Sequence, residues 1–470
     1  MLYFVSVRRL SHQNFKQLLK NINVEIQSFF SVEELDQLAR DSAFVQRETT
    51  SKLTGSIFFN LIIFNNEKLK EQSLEGACIE LNHASGIKLK KQSLHDRFNE
   101  KALLFLKKAF EKLFQQQLSR DLQSTKYSNF NRILIKDSIC FQLDPALAAV
   151  YPGSGGAGSK AAIRLQFEYD LCSGTINDLS INPFIKQDGV NSKATLNLTR
   201  EGDLIIRDLA YMSLDVLKKL TIKGASFLCR PGTRTTIYET KDGEYQKLNF
   251  KKIRCYMKKN NISMLEKNVS IGHKEKLSVR LILHLLPDQE VERRKRQSIT
   301  KRKKKNRGKH TNEYKERLFF NLFITDTTDE TIPARHVWPL YRLRWQIELV
   351  FKIWKSICHI DKIKRVKKHR FECYLYGRLI FILLGWKIIW AIARILLYTE
   401  KKSISFFKAF KVLFNKKIKE IQDVFVTGKT SVQDFLLQFY KMASVYLLLD
   451  KKEKYPEQDT IDLNNAISRT

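Results

Sequence analysis

The chain lacks paired cysteines. Its seven thiols (Cys78, Cys140, Cys172, Cys229, Cys255, Cys358 and Cys373) are scattered singly, with no CxxC among them. That pattern excludes a disulfide framework and the usual spacing of structural zinc, and it fits a reducing compartment. We expect most of them to be small buried hydrophobes without chemistry. The chain also lacks an uncharged apolar run of spanning length. The closest, Tyr374 to Tyr398, is interrupted by Arg378, Lys387 and Arg394. A spanning helix needs about 20 residues nearly free of charge, so this segment predicts a buried core helix whose basic residues reach out to solvent. The opening MLYFVSVRRLSHQNFKQLL has no basic region followed by an apolar run and small cleavage residues, so export is not expected. Acidic residues are scarce as well, with 49 against 83 basic ones and a formal charge of +34. Such an excess implies a long polyanionic partner, nucleic acid rather than a membrane.

What is present is a large apolar complement, 43% of 470 residues, enough for roughly two to four domains. Residues 1–125 read as a helical region, with apolar residues at helical spacing through Val32 to Phe44, Ile57 to Phe64 and Ala102 to Phe114. Within it, LEGACIELNHASGIKLKKQSLHDRF predicts a helix, a turn at Ser85 and Gly86, and a basic helix from Lys91. A DNA-binding helix-turn-helix, with Lys91, Gln92, Ser93, His95 and Arg97 near its groove-facing start, and a plain helical hairpin both fit.

Strand patterns begin at Arg132. RILIKDSICFQL is followed by a hairpin made of AAIRLQFEYDL and SGTINDLSI, and then by strand, helix and strand through Leu204 to Cys229. Between them, YPGSGGAGSK has glycines spaced like a phosphate-binding loop. Ser159 and Lys160 stand in the wrong order and Ala161 replaces the hydroxyl residue, so a turn is expected. Residues 231–325 form a β-rich basic insertion. It contains eleven Lys or Arg between Arg293 and Lys309, a run expected to be solvated and mobile without its partner. Residues 326–365 return to helix, and residues 366–470 form a C-terminal helical region.

Tyr341, Arg344, Glu348 and Lys355 stand at offsets of 3, 7 and 14 residues. At about 100° per residue they fall within an arc of roughly 60° on one helical face. A lone carboxylate among cations suits metal and phosphate together, because hard oxygen holds a divalent ion while guanidinium, ammonium and phenol meet phosphate oxygens. One fixed four-residue spacing arises by accident on the order of once in a few hundred such chains. The alternative is an ordinary amphipathic helix with Trp345, Leu349 and Trp354 toward the core. A two-metal site needs further carboxylates from other elements. Asp137 follows the apolar run Ile133 to Ile135 and Asp208 follows Leu204 to Ile206, each near a predicted strand end. Taken locally, either could equally be a turn residue or helix cap.

The spacing matches the YREK signature of bacterial insertion-sequence transposases of the DDE class, and the chain resembles that family from roughly Phe44 to Lys355. The resemblance rests also on LIKDS around Asp137 and on RDLAYMSLDVLKKLTIKGASFLCR, with Tyr211, Gly224, Phe227 and Arg230. It implies an α/β fold, an RNase H-like mixed-sheet catalytic core interrupted by the insertion and flanked by helices. Residues 126–230 would be the first part of that core, and 326–365 the part that carries Glu348. It implies that Asp137, Asp208 and Glu348 bind two Mg²⁺ ions, with Mn²⁺ an acceptable substitute. Tyr341, Arg344 and Lys355 would contact DNA, as would Lys91, Gln92 and Arg97 in the N-terminal helices and Arg293, Arg294, Lys303 and Lys304 in the insertion. The implied partners are double-stranded DNA, as terminal inverted repeats and target, and a second copy of the chain in a synaptic complex in the bacterial cytoplasm at the nucleoid. A nuclease on the same fold and an inactive DNA-binding remnant are the competing readings. One departure stands out. Relatives that excise through a DNA hairpin carry a tryptophan late in the insertion, and this chain has none between Asp208 and His336. Asn321 stands there beside Phe319 and Phe320.

Overall fold

A computed structural model of the chain describes residues 31–46, 52–65, 73–115, 129–155, 158–171, 173–233, 235–273, 275–304, 310–363, 365–400, 402–415, 417–424 and 430–449. The expectations for the opening segment, for Cys172 and for residues 305–309 of the basic tract lie outside the described residues, as does the side chain of Lys304.

The N-terminal region contains helices α1 (Val32–Asp41), α2 (Gly55–Phe64), α3 (Leu74–Ser85), α4 (Lys91–Arg97) and α5 (Glu100–Gln115). Ser31 and Glu34 form a reciprocal capping box that opens α1. Gly86, at φ 69°, ends α3 in the left-handed conformation open to glycine, which produces the turn before α4.

The sheet starts with β1 (Arg132–Gln142), β2 (Ala162–Asp170) and β3 (Ile176–Pro183), an antiparallel meander. After helix α6 (Asp188–Ala194), strand β4 (Asp203–Arg207) pairs parallel to β1. Helix α7 (Leu214–Ile222) then leads to β5 (Ser226–Cys229), parallel to β4. A crossover between adjacent parallel strands needs a helix between them, which the strand, helix, strand sequence pattern supplies.

Residues 231–325 contribute β6 (Ile237–Lys241), β7 (Glu244–Lys247), α8 (Phe250–Lys259), β8 (Met264–Ile271), β9 (Leu277–Leu285), α9 (Asp288–Lys304), α10 (Asn312–Arg317) and β10 (Phe320–Thr325). All ten strands form one sheet in the order β3-β2-β1-β4-β5-β10-β9-β8-β6-β7. The basic tract is helical through Lys304, where the sequence predicted a mobile run. Acidic Asp288 and Glu290 in the first turn of α9 complement the helix dipole, and Glu290 and Glu292 pair with Arg293, Arg294 and Lys295 one turn on.

The remaining helices are α11 (Ala334–Arg342), α12 (Gln346–Ser356), α13 (Lys368–Glu400), α14 (Phe406–Asn415), α15 (Ile418–Gln422) and α16 (Val432–Tyr446). Strand alternation divides the core in two. One face of the sheet, with Ile133, Ile135, Phe167, Leu204 and Ile206, packs on α11 to α14 and joins the N-terminal helices. We call this the front. The back face, with Leu134, Ile205 and Phe227, packs on α7 and α8.

Helix α13 is, among the described residues, the one helix long and apolar enough to cross a membrane, and 94% of its most apolar window is buried inside the protein. Its basic residues do not all reach solvent as expected. Arg378 is 3% exposed, and its guanidinium instead donates to the carbonyls of His359 and Lys362 in the loop before α13. Lys387 is also buried, and Arg394 is half-buried.

Candidate active site

The parallel ladder between β1 and β4 runs from Arg132 opposite Asp203 to Lys136 opposite Arg207. Asp137 is the next residue on β1 and Asp208 the first after β4; alternation turns Asp137 toward the front face, and Asp208 lies close enough to act on Asp137 and Arg344. Asp137 lies midway along β1 rather than near its end. It is the shorter β4 that stops there, so the ladder ends at the site although β1 continues.

The third acid arrives from the helical layer. The YREK residues do not lie on one continuous helix: Tyr341 lies in the last turn of α11, a 3-10 turn spans Leu343–Trp345 and carries Arg344, and Glu348 and Lys355 sit on α12. The tighter turn leaves Trp345 58% exposed, whereas Trp354 is buried against Phe167 and Leu349 is half-buried. Hence only one of the three residues expected in the core of an ordinary amphipathic helix is fully inside.

Arg344 joins the elements. Its Nη1 donates to Asp137 Oδ2 at 2.8 Å, and its Nη2 donates to Glu348 Oε1 at 2.9 Å. Burial pushes the Asp137 carboxyl pKa up, against the backbone N–H of Ser138 and the Arg344 charge, while Asp208 and Glu348 add to the rise. Burial also opposes the Arg344 charge, but the facing Tyr341, Asp137, Asp208 and Glu348 outweigh it and raise its pKa. Tyr341 is buried with its ring 5.1 Å from that of Phe323, and burial followed by Asp208 pushes its pKa up to about 12. Lys355 Nζ donates to the carbonyl of Cys140 at 3.3 Å, further along β1. Arg230, after β5, donates to Asn321 Oδ1 at 3.2 Å.

Three carboxylates of this kind are suitable hard ligands for a divalent cation. In the present arrangement the Arg344 guanidinium stands between two of them. Among the described residues, no three His, Cys, Asp or Glu side chains are grouped to hold an ion. The donor set thus fits a divalent metal in kind, with an internal cation between its members.

The outlying DNA-contact candidates divide by orientation. Lys91 and Gln92 are exposed on α4, as are Arg293 and Lys303 on α9. Arg97 turns inward, donating to the carbonyl of Phe44 at 3.1 Å with its guanidinium over the Phe44 ring. Arg294 is likewise committed inside, to the carbonyl of Phe320 at 3.0 Å and to Asn321 Oδ1 at 2.6 Å. Phe320 is buried strand core, and Phe319 lies under Arg254 and Lys295. The glycine-rich segment after Tyr151 is a turn, closed by Gly153 N–H to the carbonyl of Lys160 at 2.9 Å, and it enters a strand rather than a helix. Gly156 and Ala157 within it lie outside the described residues. The bridging role of Arg344 was not visible in the sequence, because it requires β1 to be placed against the 3-10 turn.

Comparison with known proteins gives the family of the chain. A family profile described as Transposase DDE domain matches residues 128–384. The transposase for insertion sequence element IS231F of Bacillus thuringiensis subsp. israelensis is 35% identical over 405 residues, covering 83% of this chain and 84% of that protein. The transposase for IS231B of Bacillus thuringiensis subsp. berliner is 33% identical over 396 residues, 81% and 82% of the two chains. The transposase for IS1151 of Clostridium perfringens is 32% identical over 409 residues, 83% and 85% of the two chains. With these matches the chain belongs to the family of insertion-sequence transposases with a DDE domain.

Proposed function

We propose that this enzyme binds the two ends of its insertion sequence as a dimer and moves the element by metal-dependent strand cleavage followed by strand transfer, in a cut-and-paste reaction in the bacterial cytoplasm. Family membership carries the coarser statement, that it is a DNA transposase. The observation that supports the finer one is the joining of Asp137 on β1 to Glu348 on α12 through one guanidinium, with Asp208, just past the adjacent parallel strand, close enough to act on both Asp137 and Arg344.

Asp137, Asp208 and Glu348 are the residues that would hold two Mg²⁺ or Mn²⁺ ions. Ions bound there supply Lewis-acid activation of water or of a DNA 3′-hydroxyl and charge stabilisation at the leaving oxygen. The chain's own groups do the positioning. Arg344, once released from its two carboxylates, offers a planar fork to a phosphate, and the Tyr341 hydroxyl, kept protonated by its raised pKa, donates beside it. Lys355 holds the adjacent strand, and the exposed indole of Trp345 offers a stacking face next to Arg344. Lys91, Gln92, Arg293 and Lys303 are exposed and would meet the duplex backbone. Lys304 belongs to the same basic tract.

Incubating the protein and its Glu348→Gln variant with a plasmid carrying the native locus and Mg²⁺, then mapping every new end and junction, tests the reading. Cuts flanking the gene with joining to new sites, absent in the variant, support it. Cuts without joining would make the protein a nuclease, and binding without cuts an inactive remnant.

A further inference from the structure

Directly behind the acidic residues, on the back face, runs a row of four charged side chains in register across four adjacent strands: Asp178 on β3, Glu168 on β2, Lys136 on β1 and Arg207 on β4. Glu168 and Lys136 have no exposed surface, Arg207 is 1% exposed, and Asp178 is buried. Lys136 immediately precedes Asp137, and Arg207 immediately precedes Asp208.

The shortest ion pairs in this row step over a strand, and the neighbours Lys136 and Glu168 stand 4.0 Å apart between them. Lys136 on β1 donates to Asp178 on β3 at 2.6 Å, passing β2. Arg207 on β4 pairs with Glu168 on β2 through Nε at 2.9 Å and Nη2, passing β1. The two pairs therefore interlock, and each has a tie of its own. Lys136 also donates to Thr195 Oγ1 at 3.1 Å, Arg207 Nη1 donates to Ser192 Oγ at 2.9 Å, and Asn177 Nδ2 donates to Glu168 Oε2 at 2.8 Å.

A buried neutral quartet is a poor way to gain stability, since apolar side chains of similar volume often serve as well or better. It is a strong way to fix register. A slip of one residue between β1 and β4 would turn a buried cation into the apolar front layer and carry Asp137 or Asp208 to the back. We propose that this row is a positioning device, with Glu168 and Arg207 as its central positioning residues, that sets the relative height and spacing of the Asp137 and Asp208 carboxylates. The inference rests on the transposase reading above and assigns to it residues that touch neither DNA nor metal. Smaller Mg²⁺ demands nearly ideal octahedral geometry, so a misplaced carboxylate pair loses Mg²⁺ first.

Two variants test the row. Glu168→Asp keeps every charge but shortens the reach to Arg207, and the double change Glu168→Met with Arg207→Met replaces one pair by apolar side chains of similar length. Thermal melting, affinity for element-end DNA, cleavage rate at saturating DNA in Mg²⁺ and in Mn²⁺, and Mn²⁺ binding to the DNA-free protein by electron paramagnetic resonance are read for each. The expected result is a folded protein that binds DNA like the wild type, cuts roughly tenfold or more slowly in Mg²⁺ with a smaller loss in Mn²⁺, and binds Mn²⁺ more weakly by a similar factor. Folded variants that cut and bind Mn²⁺ like the wild type would overturn the positioning role. So would failure of both variants to fold, because the row would then be needed for folding itself. If the wild type neither cuts DNA nor binds Mn²⁺, the functional reading falls and takes this inference with it. A cutting wild type with indifferent variants removes the inference alone.

Discussion

At Arg344 a single guanidinium holds two like-charged carboxylates together. Removing it leaves Asp137, already driven toward protonation by burial, facing Glu348 without a cation. Arg344→Ala is expected to lower the unfolding free energy at pH 7.5 by about 2–3 kcal/mol, with Mn²⁺ restoring more of the loss than it adds to the wild type. Melting curves with and without the ion check this, and equal metal responses in the two proteins would refute it. Asp326 offers a second single-residue case. Burial raises its pKa to about 6, although Phe227 N–H and Thr221 donate to it. A folded pKa above the unfolded value means that stability is fully present below about pH 4 and falls as pH rises to about 6, after which the loss is constant. Asp326→Asn keeps the acceptor and removes the charge. It should raise stability by about 1–3 kcal/mol at pH 7.5 and change it little at pH 4. Chemical denaturation at the two pH values measures the difference.

Among elements, the loop that delivers α11 depends on one buried side chain of β9. Arg280 donates to Glu266 at 2.7 and 2.9 Å, to Asp329 at 2.7 Å and to the carbonyls of Thr328 and Ile332 at 3.1 and 2.8 Å. Asp329 in turn accepts from the N–H of Ala334 at 2.7 Å, which fixes the start of the helix. Arg280→Ala leaves these groups unpaired and is expected to cost about 3–5 kcal/mol, with Arg280→Lys recovering only part because it cannot fork. Urea unfolding of the two variants separates these outcomes. The same region shows where sequence reading succeeds. Apolar blocks around Ile133 to Ile135 and Leu204 to Ile206 made β1 and β4 legible, and Ser213 at the start of α7 accepts from Val216 N–H as a helix cap should. The break at Leu343–Trp345 was not legible, because 3-10 and α turns place apolar residues at nearly the same spacing over three residues. The inward turns of Arg97, Arg294 and Arg378 were equally hidden. A basic residue in a sequence carries no sign of whether a backbone carbonyl awaits it.

For the whole molecule, a formal charge of +34 makes DNA affinity a matter of counterion release. The logarithm of the binding constant should fall linearly with that of salt concentration, and replacing exposed Arg293 and Lys303 by Ala should reduce the slope by about 2. Filter binding across salt concentrations measures the slope, and an unchanged value would remove those two residues from the interface. The ten-stranded sheet was the least legible feature. Residues 231–325 read as an insertion apart from the core, yet β10 pairs with β5 and continues the same ladder. Pairing across so long a separation leaves no local signal in the sequence.

That pairing has a consequence for the protein as it is made. Ninety residues separate Cys229 at the end of β5 from Phe320 at the start of β10. At synthesis rates of about 5–20 residues per second, β5 waits on the order of 5–20 s with an open edge before its partner leaves the ribosome. Glu348 emerges later still. A nascent chain stopped inside the insertion therefore has an unpaired strand and an incomplete acidic set. Such fragments should collect in aggregates, since an unpaired edge is a template for pairing with other chains.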